Sequence, residues 1–219
     1  MKIGISRIHF PITTLGPGRR LGIWFQGCSI RCPGCISADT WGFGRGRISL
    51  DEILDQLDSW LPECDGITIS GGEPFDQCDA LAALLRALRT KTSVDILVYS
   101  GHSFERILDP LNGMVGLIDA LITDPYLMNG PQTLPLRGSD NQRLHLLTCL
   151  GRQRFATVAD DFPSKQSFDV MFDDDGSVWL AGIPRRGDFE RLRARLAARG
   201  HRIVVSEDTS APLREADPS

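Results

Sequence analysis

This sequence predicts an α/β fold: a parallel sheet rolled into a partial barrel, followed by a small C-terminal α+β extension. Three observations carry that prediction. Apolar strand-like runs alternate with helix-period segments through residues 1–149, the order that builds parallel sheets. Several runs are apolar at most positions, as strands of a buried sheet are. About five or six β/α units are present, fewer than the eight of a closed barrel. A length of 219 residues suits one domain with an appendage. With 42% hydrophobic and 24% charged residues, whole-chain disorder is not expected. A net charge of −4 has the wrong sign for a general polyanion binder, so nucleic acid is not an expected partner. No apolar run approaches the ~18–20 residues of a membrane span, and the first residues lack the apolar stretch of a signal peptide. The expected compartment is cytoplasmic, where thiols stay reduced.

Residues 1–26 read as two strands around a turn. Ile3, Ile5, Ile8 and Phe10 form the first apolar stretch, Leu15-Gly16-Pro17-Gly18-Arg19-Arg20 is a turn signal, and Gly22-Ile23-Trp24-Phe25 is a buried strand. Residues 27–48 are too rich in glycine and cysteine for a regular element and read as a long functional loop. Ser49 and Glu52 make a capping box opening a helix with Leu50, Ile53, Leu54, Leu57 and Trp60 as its apolar positions. Strands are expected at 66–70, 95–99 and 120–123, with helices at 77–89 and 103–109. A Pro/Gly-rich loop at 124–140 precedes the last strand of the series, at 142–148. Residues 150–166 read as a linker. Residues 168–172 and 177–181 read as a hairpin around an Asp173-Asp174-Asp175-Gly176 turn. A helix follows at 188–199, with Phe189, Leu192 and Leu196 on one face and Gly200 beyond its end, then a strand at 201–205. The chain thus divides into a core at 1–149, an extension at 150–206 and a polar tail at 207–219 expected to be disordered.

In β/α folds, sites lie at the C-terminal ends of the strands, and the unusual sequences of this chain fall there. Of six cysteines, Cys28, Cys32 and Cys35 form a C-x3-C-x2-C cluster. A zinc site would need a fourth Cys or His at similar short spacing. A redox pair of Cys32 and Cys35 would leave Cys28 unexplained. A 4Fe-4S cluster on three thiolates fits best, because it leaves one iron open to a non-protein ligand. Cys64, Cys78 and Cys149 have no ligand spacing and read as small hydrophobes.

The cysteine spacing resembles the cluster motif of the radical S-adenosylmethionine (SAM) superfamily. Gly71-Gly72-Glu73-Pro74, after a predicted strand, resembles its second motif. Glycines there permit close approach to backbone, whose carbonyls can accept from the SAM ammonium group. Within the superfamily the chain is most similar to activating proteins of glycyl radical enzymes, especially the activators of anaerobic ribonucleotide reductase. Gly16-Pro17-Gly18-Arg19-Arg20, Gln26-Gly27-Cys28, Cys32-Pro33-Gly34-Cys35 and the Thr40-Trp41 that follows carry this similarity, as does Val98-Tyr99-Ser100-Gly101. So does Arg137-Gly138-Ser139-Asp140-Asn141-Gln142-Arg143. The resemblance covers about residues 1–148. It implies a radical SAM barrel, a 4Fe-4S cluster on Cys28, Cys32 and Cys35, and SAM at Gly71, Gly72, Glu73, Pro74 and Ser100. It further implies a flavodoxin or ferredoxin as electron donor and a glycyl radical enzyme as partner. Superfamily members often have an aromatic residue where Gly34 stands, and the glycine matches this subgroup. Two departures stand out. The subgroup's Asp-Gly-Lys/Pro-Phe loop is here Thr123-Asp124-Pro125-Tyr126, and about 70 residues follow the Asn-Gln segment where the shorter activators end.

His102, Asp124, Arg137 and Asn141 are further candidates for the substrate or site rim, each with a duller alternative as a cap, packing or surface residue. Arg143 could pair with an anion or with a neighbouring carboxylate. The arginines between 185 and 202 read as a solvated helix face or a docking surface for an acidic partner. Trp179 is expected to help form a small core beneath the helix at 188–199. The expected function is reductive SAM cleavage to a 5′-deoxyadenosyl radical that abstracts hydrogen from a partner. Two alternatives stand beside it: the same core acting on a small molecule, nucleoside or peptide, with residues 150–219 closing the site, and a non-catalytic iron–sulfur scaffold.

Overall fold

The structure is a computed structural model and describes residues 1–160, 168–172 and 178–200. Its centre is a seven-stranded mixed sheet. The strands are β1 (Lys2–Ile12), β2 (Arg20–Phe25), β3 (Arg47–Ser49), β4 (Gly66–Gly71), β5 (Asp95–Tyr99), β6 (Ala120–Thr123) and β7 (Arg143–Leu146), in the spatial order β3-β1-β2-β4-β5-β6-β7. Strands β2, β4, β5 and β6 run parallel, while β1, β3 and β7 are antiparallel to their neighbours. The architecture is α/β with a mostly parallel centre, as expected, and the sheet has two edges, β3 and β7. The expected last strand of the parallel series, β7, reverses direction. The connection from β6 carries no long helix to cross over with, and parallel pairing needs such a crossover.

Period-two alternation assigns the two faces of the sheet. Leu21, Ile23, Phe25, Ile67, Ile69, Ile96, Val98 and Leu121 share one core with α1 (Leu50–Leu57), α2 (Cys78–Lys91) and α3 (Leu108–Asn112). The alternate positions Trp24, Leu97, Ala120 and Ile122 face the other way. Helix α1 opens with the expected capping box: Ser49 Oγ accepts from Glu52 N, and the Glu52 carboxylate accepts from Ser49 N at 2.8 Å. It ends at Leu57, so Trp60 lies past the helix, ahead of the 3₁₀ turn Leu61–Glu63. The helix expected at 103–109 is a 3₁₀ turn, Glu105–Ile107, running into α3.

The linker expected at 150–166 is instead a helix, α4 (Cys149–Asp160), for most of its length. Its Phe155 and Val158 cover Leu97, Ala120 and Ile122 on the second face. Gly151 sits in the first turn of α4. A Cβ there would stand 2.1 Å from the Asp119 carbonyl, so the glycine is what lets α4 lie against the start of β6. Cys149, expected to be buried, is exposed at the start of this helix.

The extension supplies the antiparallel hairpin β8 (Phe168–Phe172) and β9 (Val178–Gly182), then α5 (Asp188–Ala197). Phe189 of α5 stacks on Phe168 with centroids 5.9 Å apart. Trp179 was expected beneath α5. It packs instead edge-on against Trp24 of the main sheet, at 4.5 Å, beside Ile12 and Leu15. The Asp169 carboxylate accepts from Thr13 N and Thr14 N at 2.8 and 3.2 Å and from both hydroxyls, tying the hairpin to the end of β1. The Asp173–Gly176 turn, the strand at 201–205 and the tail at 207–219 lie outside the described residues. Among the described residues, no helix is long and apolar enough to cross a membrane.

Candidate metal centre and cofactor pocket

Strands β2, β4, β5 and β6 deliver their C-terminal ends to one rim, as parallel strands must. A cavity of about 320 Å³ lies there. Cys28, Cys32 and Cys35 line it from the loop after β2, Gly71, Gly72 and Glu73 from the end of β4, and Tyr99 and Ser100 from β5. The loop at 27–48, expected to be irregular, contains a 3₁₀ turn, Ala38–Trp41, that closes it on itself. Gly27 N donates to Thr40 O at 2.7 Å and Cys28 N to Trp41 O at 3.2 Å. Arg31 and Gly34 take positive φ values of 52° and 71°, coiling the backbone between the cysteines. A Cβ on Gly34 would stand 2.7 Å from Met128 Sδ, so Met128 packs directly over this glycine.

The three thiols sense one another. Burial pushes Cys35 up to about 11, and the charges of Cys32 and Cys28 push the same way. Cys28 and Cys32 are raised as well, chiefly by burial, and Cys32 also by Cys28. Such thiols resist ionising unless a cation shares the site, and metal binding would supply it. Among the described residues no three Cys, His, Asp or Glu side chains gather closely enough to hold a single metal ion. A single zinc would need that convergence. A cubane takes its thiolates on separate irons, and all three cysteines line this one cavity.

Glu73 is 1% exposed and fully engaged. Its carboxylate accepts from Phe75 N at 2.9 Å, Ser100 Oγ at 2.9 Å and Gly101 N at 2.7 Å, locking the end of β4 to the end of β5. Its burial raises the carboxyl pKa, while the three donors and the nearby His102 pull it back down. Gly72 N and Glu73 N donate to Phe25 O and Gly27 O, each at 2.8 Å. A Cβ on Gly72 would be 2.1 Å from Gly27 O. The glycine edge therefore first serves to seat the cysteine loop.

The other sequence candidates stand behind the cavity lining. Pro74 is buried and opens the 3₁₀ turn Pro74–Gln77. His102 Nε2 lies 3.3 Å from Asp76 Oδ1. Asp124, at φ 83°, pairs with Arg143 at 2.7 Å. Asn141 Nδ2 donates to Pro125 O at 2.8 Å. Arg137 is buried, and its Nε has no hydrogen-bond partner. Cys64 and Cys78 donate to the carbonyls of Leu61 and Phe75.

Sequence reasoning missed three parts of the site. Asp76 accepts from Ser29 N at 2.7 Å and Ser29 Oγ at 2.8 Å, clamping the cysteine loop to the turn after β4. Gln77 bridges Gly4 and Gln26, bracing β1 against the loop's entry. Residues 180–190 form a further wall of the cavity. Gln132 Nε2 donates to Pro184 O at 3.0 Å, and Arg186 donates to the carbonyls of Leu127 and Gly130, so this wall is fastened to the loop after β6. Asp76 had a visible signal, lying two residues after Gly-Gly-Glu-Pro. The wall had none.

Residues 14–145, over half the chain, match the 4Fe-4S single cluster domain family, and the chain belongs to it. Its relatives narrow this further. The anaerobic ribonucleoside-triphosphate reductase-activating protein of Vibrio cholerae is 28% identical over 149 residues, covering 64% of this chain and 96% of the relative. The protein of the same name from Enterobacteria phage T4 is 31% identical over 134 residues, covering 59% of this chain and 85% of the relative. The pyruvate formate-lyase-activating enzyme of Listeria monocytogenes is 31% identical over 152 residues, covering 63% of this chain and 60% of the relative. The chain is a radical SAM enzyme of the activating kind, with a 4Fe-4S cluster and SAM as its cofactors.

Proposed function

We propose that this chain activates a glycyl radical enzyme, with an anaerobic ribonucleoside-triphosphate reductase as the first candidate partner. The observation that supports this best is that the three cysteines, the glycine edge after β4 and the Tyr99-Ser100 end of β5 share one cavity. In this reading Cys28, Cys32 and Cys35 hold the cluster. Gly71 and Gly72 offer backbone carbonyls to the SAM ammonium, and Ser100, held by Glu73, borders the rest of the molecule. When bound, the cluster and SAM supply one-electron cleavage to methionine and a 5′-deoxyadenosyl radical that takes a hydrogen atom from the partner.

The chain's own residues position and shield. Glu73 fixes the spacing between the β4 and β5 ends, and Pro74 starts the turn that aims Asp76 at the cysteine loop. Leu15, Trp24 and Ile183 keep water from the cavity. His102 braces Asp76, while Asp124 and Asn141 shape the loop carrying Tyr126. Arg137 draws an anionic group toward the Tyr99 side. The sheet curls as the partial barrel of this superfamily, a flavodoxin or ferredoxin supplies the electron, and the protein works in the cytoplasm.

The test is anaerobic incubation with reductant, SAM and the candidate reductase, followed by electron paramagnetic resonance. A glycyl radical on the reductase together with 5′-deoxyadenosine is expected. The wall at 180–190 favours a second reading, in which the enclosed site takes a small molecule or peptide. SAM cleavage that rises with such a compound and never gives a protein glycyl radical would replace the first reading with the second.

A further inference from the structure

The loop that carries the cysteines has an outer side as well as a cavity side, and its charge runs against that of the molecule. Residues 29–48 hold Arg31, Arg45 and Arg47 against one acidic side chain, Asp39, in a chain whose net charge is −4. The three arginines are exposed, and so are Pro33 and Phe43. None of these five lines the cavity. The nearby Asp76 does not offset them, because its carboxylate is 14% exposed and engaged with Ser29 and His102. The sign changes only beyond Ser49, with Asp51 and Glu52 at the start of α1.

Two of these side chains touch the backbone at the first cysteine. Arg31 Nε donates to Cys28 O at 3.4 Å. The Phe43 ring lies over Gly27, where a Cβ would stand 2.6 Å from it. Phe43 is nevertheless 55% exposed, while Cys28 is buried. An exposed aromatic ring and an exposed guanidinium thus cover the backbone beside a buried cysteine, with a second arginine two residues along from the ring.

We propose that the surface of Arg31, Phe43 and Arg45 docks an acidic one-electron carrier protein, whose electron enters past Cys28. The inference rests on the reading that Cys28 holds the cluster and that a flavodoxin or ferredoxin supplies the electron. The step moves one electron and no atoms. A flavodoxin's flavin passes from hydroquinone anion to neutral semiquinone, and the cluster gains the one negative charge. Basic side chains around an exposed aromatic suit such a partner. Opposite charges speed the encounter and are screened by salt, and aromatic residues are enriched at interface centres. SAM and substrate use the cavity side, so the carrier does not compete with them.

The experiment mixes reconstituted protein anaerobically with flavodoxin hydroquinone in a stopped-flow instrument, at low and high salt. Binding of oxidised flavodoxin is measured separately by calorimetry. Photoreduced deazaflavin, a small neutral reductant, is the reference. Arg45→Glu should slow reduction by flavodoxin roughly 3–10-fold at low salt, weaken binding alongside, and leave reduction by deazaflavin unchanged. Arg45→Lys should restore most of the rate. Phe43→Ala should slow it at both salt concentrations, because an apolar contact is not screened. Arg86→Glu makes the same charge change on α2, where Arg86 donates to Gly113 O at 3.2 Å, and should have little effect. Equal slowing by Arg45→Glu and Arg86→Glu, or a wild-type rate that ignores salt, would overturn the proposal. So would an unchanged flavodoxin rate in Arg45→Glu with lost binding to the candidate reductase, which would give this surface to the radical partner. Should Arg45→Glu load its cluster poorly, Arg45→Lys is cross-linked to flavodoxin by carbodiimide. A link mapped to position 45 supports the proposal, and links only elsewhere refute it. Wild-type reduction by deazaflavin but by neither flavodoxin nor ferredoxin would remove the docking proposal and its donor. Failure with deazaflavin as well would remove the cluster reading beneath it.

Discussion

The two ends of the same parallel strands solve opposite problems. At the N-terminal ends of β2, β4 and β5, Arg20 and Asp95 are both completely buried and bonded at 2.6 Å. Arg20 also donates to Thr68 Oγ1 and Ile67 O at 2.6 Å each, and Arg154 of α4 reaches the other Asp95 oxygen at 2.9 Å. Each buried charge there has its partner, as stability requires. At the C-terminal ends, only part of the polar network is closed. Glu73 is saturated, but burial pushes the three thiols up, and the Trp41 Nε1 and the Arg137 Nε have no hydrogen-bond partner among the described residues. One rim is complete as a folded protein, and the other is complete only as a loaded enzyme.

Breaking either rim should give different losses. Cys32→Ala should remove the 4Fe-4S absorbance after anaerobic reconstitution and abolish SAM cleavage. It should alter the stability of the unloaded protein by no more than about 1 kcal/mol, because the side chain is only partly buried. Asp95→Ala does the reverse. It strands a buried guanidinium and should cost about 3–5 kcal/mol in denaturant unfolding, while the folded fraction keeps a normal cluster spectrum. If Asp95→Ala instead loses the cluster at unchanged stability, the division between the rims is wrong.

A third substitution asks where the extension belongs. Asp169→Ala removes four hydrogen bonds to Thr13 and Thr14. It should cost about 1–2 kcal/mol, read as faster amide exchange in β8 and β9 with no change in the central strands. Smallest is a pH effect at the functional rim. Arg143 grips Glu105 at 2.8 Å and holds its carboxyl down to about 2, against an ordinary 4.5. A depressed carboxyl stabilises the fold above its unfolded pKa and loses that contribution as pH falls from about 4.5 toward 2. Carboxyl NMR should show Glu105 titrating near 2 in the wild type and near its ordinary value in Arg143→Ala.

What the sequence disclosed and what it hid divide along the same physical line. Local signals were readable: the capping box at Ser49, the apolar strands, the cysteine spacing and Gly-Gly-Glu-Pro each reside in a few adjacent residues. Features made by distant contacts were not. The Gly151 segment reads as a linker until the Asp119 carbonyl is seen against it. Trp179 reads as extension core until Trp24 is found 4.5 Å away. The wall at 180–190 depends on Arg186 and Gln132 meeting carbonyls more than fifty residues off in sequence. Glu73 was legible as a site residue, but its three donors were not, and they make it a strut between strands as well as part of the lining.

Cys28, Cys32 and Cys35 are proposed to hold a 4Fe-4S cluster whose open iron takes SAM. The most direct test is electron paramagnetic resonance of the reduced, reconstituted protein before and after SAM is added, with 5′-deoxyadenosine and methionine quantified afterwards. The predicted result is a cluster signal that changes shape on SAM addition, followed by equal amounts of the two products, with both absent in Cys32→Ala. A fully loaded cluster whose signal ignores SAM and yields neither product, or the same signal and products in Cys32→Ala, would contradict it.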